Sequence, residues 1–289
     1  MKDFILFLDL IRLKKPIGIM LLFWPCLWGL TLAYDFTSNN LQYVIYFIYF
    51  FLGSVLMRSA GCIVNDILDR KYDILVERTK QRPIASGKIS INLSLIYVII
   101  LCSFAFLILI QFNFTTILLG LASMPFAFSY PLMKRYTYWP QLFLGFTFNY
   151  GLIMAWFSIK PEFSYIPIIF YIGAIFWTLA YDTIYGFQDI KDDEIIGVKS
   201  TSIKFKKNPK LLIFICYLIF ILMQIISGLL MEFNYYYYIG IVIIAIHLLL
   251  YQTKNLDISD PNICLKKFKA NNFLGLIVFL NILTNKIYL

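Results

Sequence analysis

Long apolar runs separated by short, basic loops dominate this sequence and leave few folds open to it. Nine segments, near 17–34, 43–64, 90–112, 115–133, 139–158, 163–184, 210–230, 235–252 and 271–288, approach the roughly 20 apolar residues with which a helix crosses a bilayer. Almost none of them carries a polar face, which argues against a helical core inside a soluble domain. Composition agrees. Of the residues, 61% are hydrophobic and 14% charged, whereas soluble domains carry roughly 25% charged residues. The expected fold class is an all-α polytopic membrane protein with nine transmembrane helices, forming a single membrane-embedded domain over 1–289.

The net charge of +9 does not point to nucleic acid, because the basic residues lie in short loops between apolar runs rather than on one solvated face. With nine spans, 22 of the 25 lysines and arginines fall on one side of the bilayer. Arg58 lies within a span, and Lys160 and Lys286 are left opposite. By the positive-inside rule the basic face is cytoplasmic, as is the amino terminus. Residues 1–15 read as a short interfacial segment and not as a cleavable signal, since Asp3 and Asp9 interrupt the stretch and no small-residue cleavage site follows. The two longest loops share the cytoplasmic face, and function is expected there. The five cysteines lack metal-ligand or disulfide spacing and read as packing residues. His247, the only histidine, is expected to be interior, which leaves histidine-based haem or zinc chemistry without a ligand pair.

Carboxylates are costly near lipid, yet two groups of them close apolar runs. In the first, Asn65, Asp69 and Asp73 fall at i, i+4 and i+8 of a continuing helix, with Asp66 beside them and Arg58 about two turns earlier. In the second, Asp182, Asp189 and Asp193 are spaced i, i+7 and i+11, which predicts one helical face with Tyr185 between them. Asp192 reads equally well as a solvated helix end. Like charges this close call for cations, and hard carboxylate and amide oxygens select magnesium, which keeps further positions for substrate phosphates. Arg78, Lys80, Arg82, Lys134, Arg135 and Lys199 follow these groups on the same face. Singly, each is explained by topology; together they are suited to phosphate oxygens.

At these residues the sequence resembles the membrane-embedded aromatic prenyltransferases. Asn65 to Asp73 matches their NDxxDxxxD pattern, and Asp189 and Asp193 form the DxxxD of their second motif. The flanking text is similar to the bacterial 4-hydroxybenzoate polyprenyltransferases of ubiquinone synthesis, in RLKKPIGIMLLFWPCLWGL (12–30), MRSAGCIVNDILDRKYD (57–73), RTKQRPIASG (78–87), MKRYTYWPQ (133–141), YDTIYGFQD (181–189), DDEIIGVKST (192–201) and CLKKFKANNFLG (264–275). One departure is Gly186, where relatives commonly carry alanine. The resemblance covers nearly the whole chain and implies nine spans around a central cavity, in a bacterial inner membrane or, in a eukaryote, the mitochondrial inner membrane.

It also implies site roles. Asn65, Asp66, Asp69, Asp73, Asp182, Asp189 and Asp193 become the magnesium set, with Asp69, Asp73, Asp189 and Asp193 catalytic. Arg78, Lys134, Arg135 and Lys199 resemble the diphosphate and loop-ordering residues, and Arg58 and Tyr185 are expected to face the aromatic substrate. The substrates implied are a polyprenyl diphosphate and 4-hydroxybenzoate, with a long tail entering from lipid. Two rivals remain at this stage: a prenyltransferase for another acceptor, such as a naphthoate, homogentisate or haem, and a divalent-cation transporter. The transporter would carry its acids near the midplane on interrupted helices. A membrane scaffold would tolerate neutralisation of Asp69 or Asp189.

Overall fold

The computed structural model describes residues 2–37 and 40–288; Met1, Ser38, Asn39 and Leu289 of the expected 1–289 domain lie outside the described residues. Every regular element among the described residues is helical: α1 (Lys2–Leu10), α2 (Ile17–Ala33), α3 (Leu41–Asp73), α4 (Ile91–Leu109), α5 (Phe114–Ser129), the short α6 (Met133–Tyr136), α7 (Pro140–Ile159), α8 (Tyr165–Gly186), α9 (Ile190–Ile196), α10 (Thr201–Lys204), α11 (Pro209–Leu230), α12 (Tyr235–Ala245, continuing as a π-helix over Ile246–Lys254) and α13 (Pro261–Tyr288).

Local chemistry sets the helix ends. Side-chain oxygens of Ser90, Asn113, Ser164 and Asn234 accept from backbone N–H groups of α4, α5, α8 and α12, filling donors that a helix start leaves unpaired. Pro140 and Pro209 open α7 and α11, where the missing N–H costs nothing.

Among the described residues seven helices are long and apolar enough to cross a membrane. The first and last expected spans differ. α2 is a shorter apolar helix, and α13 begins about a turn and a half before Lys267, so that its first part is cationic. α3 has 33 residues, about 50 Å at 1.5 Å per residue, which exceeds a hydrocarbon core of roughly 30 Å. Its last turns, Asn65 to Asp73, are the polar part of that length.

The bundle packs around aromatic rings and close backbones. Trp28 meets Trp177 at 5.0 Å between centroids, and Trp177 stacks on Phe220 at 5.9 Å. Their indole donors are satisfied: Trp28 Nε1 donates to Gly275 O at 3.0 Å and Trp177 Nε1 to Asn271 Oδ1 at 2.8 Å. Large apolar side chains such as Ile99 and Phe104 remain exposed on the outer face, as lipid solvation allows. Cys26, Cys62, Cys216 and Cys264 are buried, Cys102 is half-buried, and all are free. His247 is half-buried, facing Gln252 and the Tyr251 ring.

Candidate active site

A polar cavity of about 740 Å³ opens where the ends of α3 and α8 meet the loops that follow them. Asn65, Asp69 and Asp73 line it together, as their i, i+4, i+8 spacing on α3 predicts. Asp182, Asp189 and Asp193 line it from the other side, but not as one helical face. α8 ends at Gly186, and Asp189 precedes α9 with non-helical backbone (φ −114°, ψ 11°). The single-helix expectation for the second motif is thus corrected: a break re-aims Asp189 and Asp193 so that they still meet the cavity.

Each acid has a distinct environment. Asp69 is 3% exposed in its side chain, with Oδ2 at 2.5 Å from Lys134 Nζ and Oδ1 buried without a hydrogen-bond partner. Asp73 Oδ2 lies 2.7 Å from Arg82 Nη1. Arg78 grips Asp189, its Nε at 2.8 Å from Oδ1 and its Nη2 on Oδ2, while Nη1 donates to the Tyr185 hydroxyl at 3.2 Å. Asp182 has no ion pair among the described residues. Burial and then the neighbouring Asp189 push the Asp193 carboxyl up to about 6, against the pull of Lys134 and Arg78.

Asp66 differs from the rest. It does not line the cavity; its Oδ1 is held by Arg12 Nη2 at 2.5 Å and Arg82 Nη1 at 3.2 Å. Arg12 reaches it from the turn after α1, with backbone φ of 56°, a left-handed conformation that costs a non-glycine residue about 1–2 kcal/mol. Leu10 and Ile11 beside it are buried in a cluster with Ala60, Ile63 and Ile84, which holds the turn in place.

The cations divide by role. Arg78, Lys134 and Lys199 line the cavity and Arg135 does not. Arg135 Nη2 instead donates to Leu68 O at 2.6 Å, and its guanidinium lies 5.5 Å from the Tyr72 ring centre. Lys199 pins the same segment, its backbone N–H donating to Lys134 O at 2.8 Å and its Nζ to Tyr136 O at 3.2 Å. Arg82, one of the cations the sequence offers to phosphate, is turned onto Asp66 and Asp73 instead; Arg12 is the residue spacing misses, because only the left-handed turn after α1 carries it to Asp66.

A second, apolar cavity of about 350 Å³ lies between α3, α4, α5 and α7, and shares Arg58, Tyr130 and Phe148 with the first. Arg58 sits 5.3 Å over the Phe148 ring. Gly18 makes room for it: a Cβ there would stand 2.5 Å from Arg58 Nε. Gly186 has a similar reason, since a methyl group would run into the Ser202 hydroxyl, which donates to Thr183 O.

Residues 22–281 match the sequence profile of the UbiA prenyltransferase family. The chain belongs to that family. It is 40% identical over 276 residues to the 4-hydroxybenzoate octaprenyltransferase of Vibrio campbellii, with 95% of each chain covered. It is 38% identical over 284 residues to the mitochondrial 4-hydroxybenzoate polyprenyltransferase of Dictyostelium discoideum, covering 97% of this chain but spanning 60% of that relative's length. The fold is shared with an apo UbiA homologue from Aeropyrum pernix (TM-score 0.77, 20% identity, 92% and 97% coverage) and with one from Archaeoglobus fulgidus bound to GPP and Mg2+ (0.68, 17%, 96% and 99%). This UbiA family member is a multi-pass, all-helical membrane protein.

Proposed function

We propose that this chain transfers a polyprenyl group from a polyprenyl diphosphate to the ring carbon ortho to the hydroxyl of 4-hydroxybenzoate, releasing diphosphate, in ubiquinone biosynthesis. The observation that carries this reading is the meeting of two aspartate segments, 116 residues apart in sequence, across one cavity whose apolar neighbour shares Arg58. The names of its relatives support the acceptor.

The donor set suits a hard divalent cation. Asn65, Asp69, Asp73, Asp189 and Asp193 offer amide and carboxylate oxygens to the cavity, and the unpartnered Asp69 Oδ1 is a buried acceptor awaiting one. Among the described residues no three acids, histidines or cysteines are gathered as a ready cluster; lysine and arginine hold the acids instead. Asp66, already held by two arginines, supports the others from behind, and Asp182 stands deeper, nearer Arg58. Magnesium, when bound, would neutralise the diphosphate and the charge that develops as it departs.

The side chains then divide the work. Arg78 and Lys134 can exchange an aspartate for a phosphate oxygen, stabilising the leaving group as the allylic C–O bond breaks. Arg135 and Lys199 order the segment that carries Lys134. The Arg58 guanidinium, without an ion-pair partner among the described residues, is suited to the benzoate carboxylate, and Tyr185 to the ring. Apolar walls exclude the water that would quench the allylic cation. The ring carbon attacks that cation, and its proton leaves to a carboxylate or to the departing diphosphate. The isoprenoid tail occupies the apolar cavity, and the basic face of the bundle is cytoplasmic.

Membranes carrying the chain, given labelled 4-hydroxybenzoate and a polyprenyl diphosphate, should form a lipid-soluble labelled product with magnesium and none with chelator. No product from folded protein overturns the acceptor, and failure with a panel of other aromatics overturns the reaction.

A further inference from the structure

Most glycines in the bundle are explained by what stands against them: a Cβ on Gly145 would lie 2.9 Å from Ile175 O, and one on Gly275 would enter the Trp24 ring. Gly53 is different. It lies inside α3, where glycine costs about 1 kcal/mol relative to alanine, yet a Cβ there would meet nothing within 4 Å. The space beside it is the apolar cavity. That cavity follows α3 from Gly61 to Tyr49, about 18 Å at 1.5 Å per residue. Its far end is closed by Phe112, which is packed on Tyr46 and Phe50 with centroids 4.8 Å away in each case.

The wall near Gly53 is open towards lipid. Phe106 of α4 and Leu121 of α5 line the cavity and are nevertheless 47% and 48% exposed. α4 and α5 touch each other little, so these two side chains border a lateral mouth. A tail longer than the cavity meets the aromatic floor at Phe112 and finds the wall open between α4 and α5.

We infer that Gly53 is a specificity-determining residue: its missing side chain keeps open the bend through which a long isoprenoid tail turns out of the cavity into the bilayer. This rests on the tail occupying the apolar cavity, as proposed above. A short tail ends before the bend and does not depend on it.

The test is transfer to 4-hydroxybenzoate from geranyl diphosphate and from a long-chain polyprenyl diphosphate, each measured as kcat/KM in membranes. For Gly53→Leu the ratio of long to short should fall at least about tenfold, the scale on which apolar pockets discriminate, with Gly53→Ala between it and the unaltered chain. Leu121→Trp, on the other side of the mouth and half-exposed, should lower the same ratio and decides the matter if the leucine variant fails to assemble. An unchanged ratio in Gly53→Leu and Leu121→Trp, with both substrates turned over, overturns the role of Gly53 and leaves the reaction standing. Absence of transfer from both substrates by the unaltered chain overturns the reaction itself.

Discussion

Asp69 and Asp66 are three residues apart, both nearly fully buried, and have different fates. Asp69, which lines the cavity, leaves one buried oxygen without a partner, whereas Asp66 is spent on Arg12 and Arg82. Asp69→Ala or Asp189→Ala should therefore lower turnover by at least about 10²-fold, the scale of losing a principal electrostatic stabiliser, in steady-state product formation. Asp66→Asn should instead lower the unfolding temperature in detergent, because it takes from Arg12 the carboxylate it is paired with while Arg82 keeps Asp73; breaking a buried pair costs about 3–5 kcal/mol. Asp193 adds a pH dependence. Its carboxyl, raised to about 6 by burial and Asp189, must be ionised to serve a cation, so magnesium affinity should fall as pH drops through about 6 and hold steady above it. Bound metal favours the ionised form and moves that limb lower, and titration of magnesium-dependent turnover in Asp193→Asn should lack it. The aspartates themselves were legible from type and spacing. Their partners were not, because several cations lie near each acid in sequence and only distance across helices selects among them.

At the scale of elements, the segment 133–138 is held from two sides. Arg135 ties it to the end of α3 through Leu68 O, and Lys199 ties it to the loop after α9. Arg135 is a positioning residue, since it touches Leu68 and Tyr72 rather than the cavity. Arg135→Ala should raise KM for the diphosphate substrate about tenfold, the scale of one hydrogen bond to a charged group, with a smaller change in kcat, and Arg135→Lys should restore part of it. Lys134→Ala should act chiefly on kcat. The break between α8 and α9 belongs to the same scale. Spacing alone predicts one face for Asp182, Asp189 and Asp193, but α8 ends at Gly186 and Asp189 stands outside regular helix, so a turn does what a continuous helix was expected to do.

For the whole molecule, the distribution of lysine and arginine yields a topological expectation. Single cysteines replacing Lys71 and Lys191 should be labelled by a membrane-impermeant thiol reagent only from the cytoplasmic side, and one replacing Lys160 only from the other. Equal labelling from both sides would break the assigned orientation. The sequence by itself determined the helical membrane class, the approximate positions of most long helices and the two aspartate motifs, because length, hydropathy and residue spacing are properties of the linear chain. Tertiary structure decided the rest. It turned Asp66 onto arginines and sent Arg135 to a carbonyl. It carried Arg12 through a left-handed turn and left an apolar cavity beside Gly53. Each of these depends on which side chains meet across helices far apart in sequence, and packing, not periodicity, settles that.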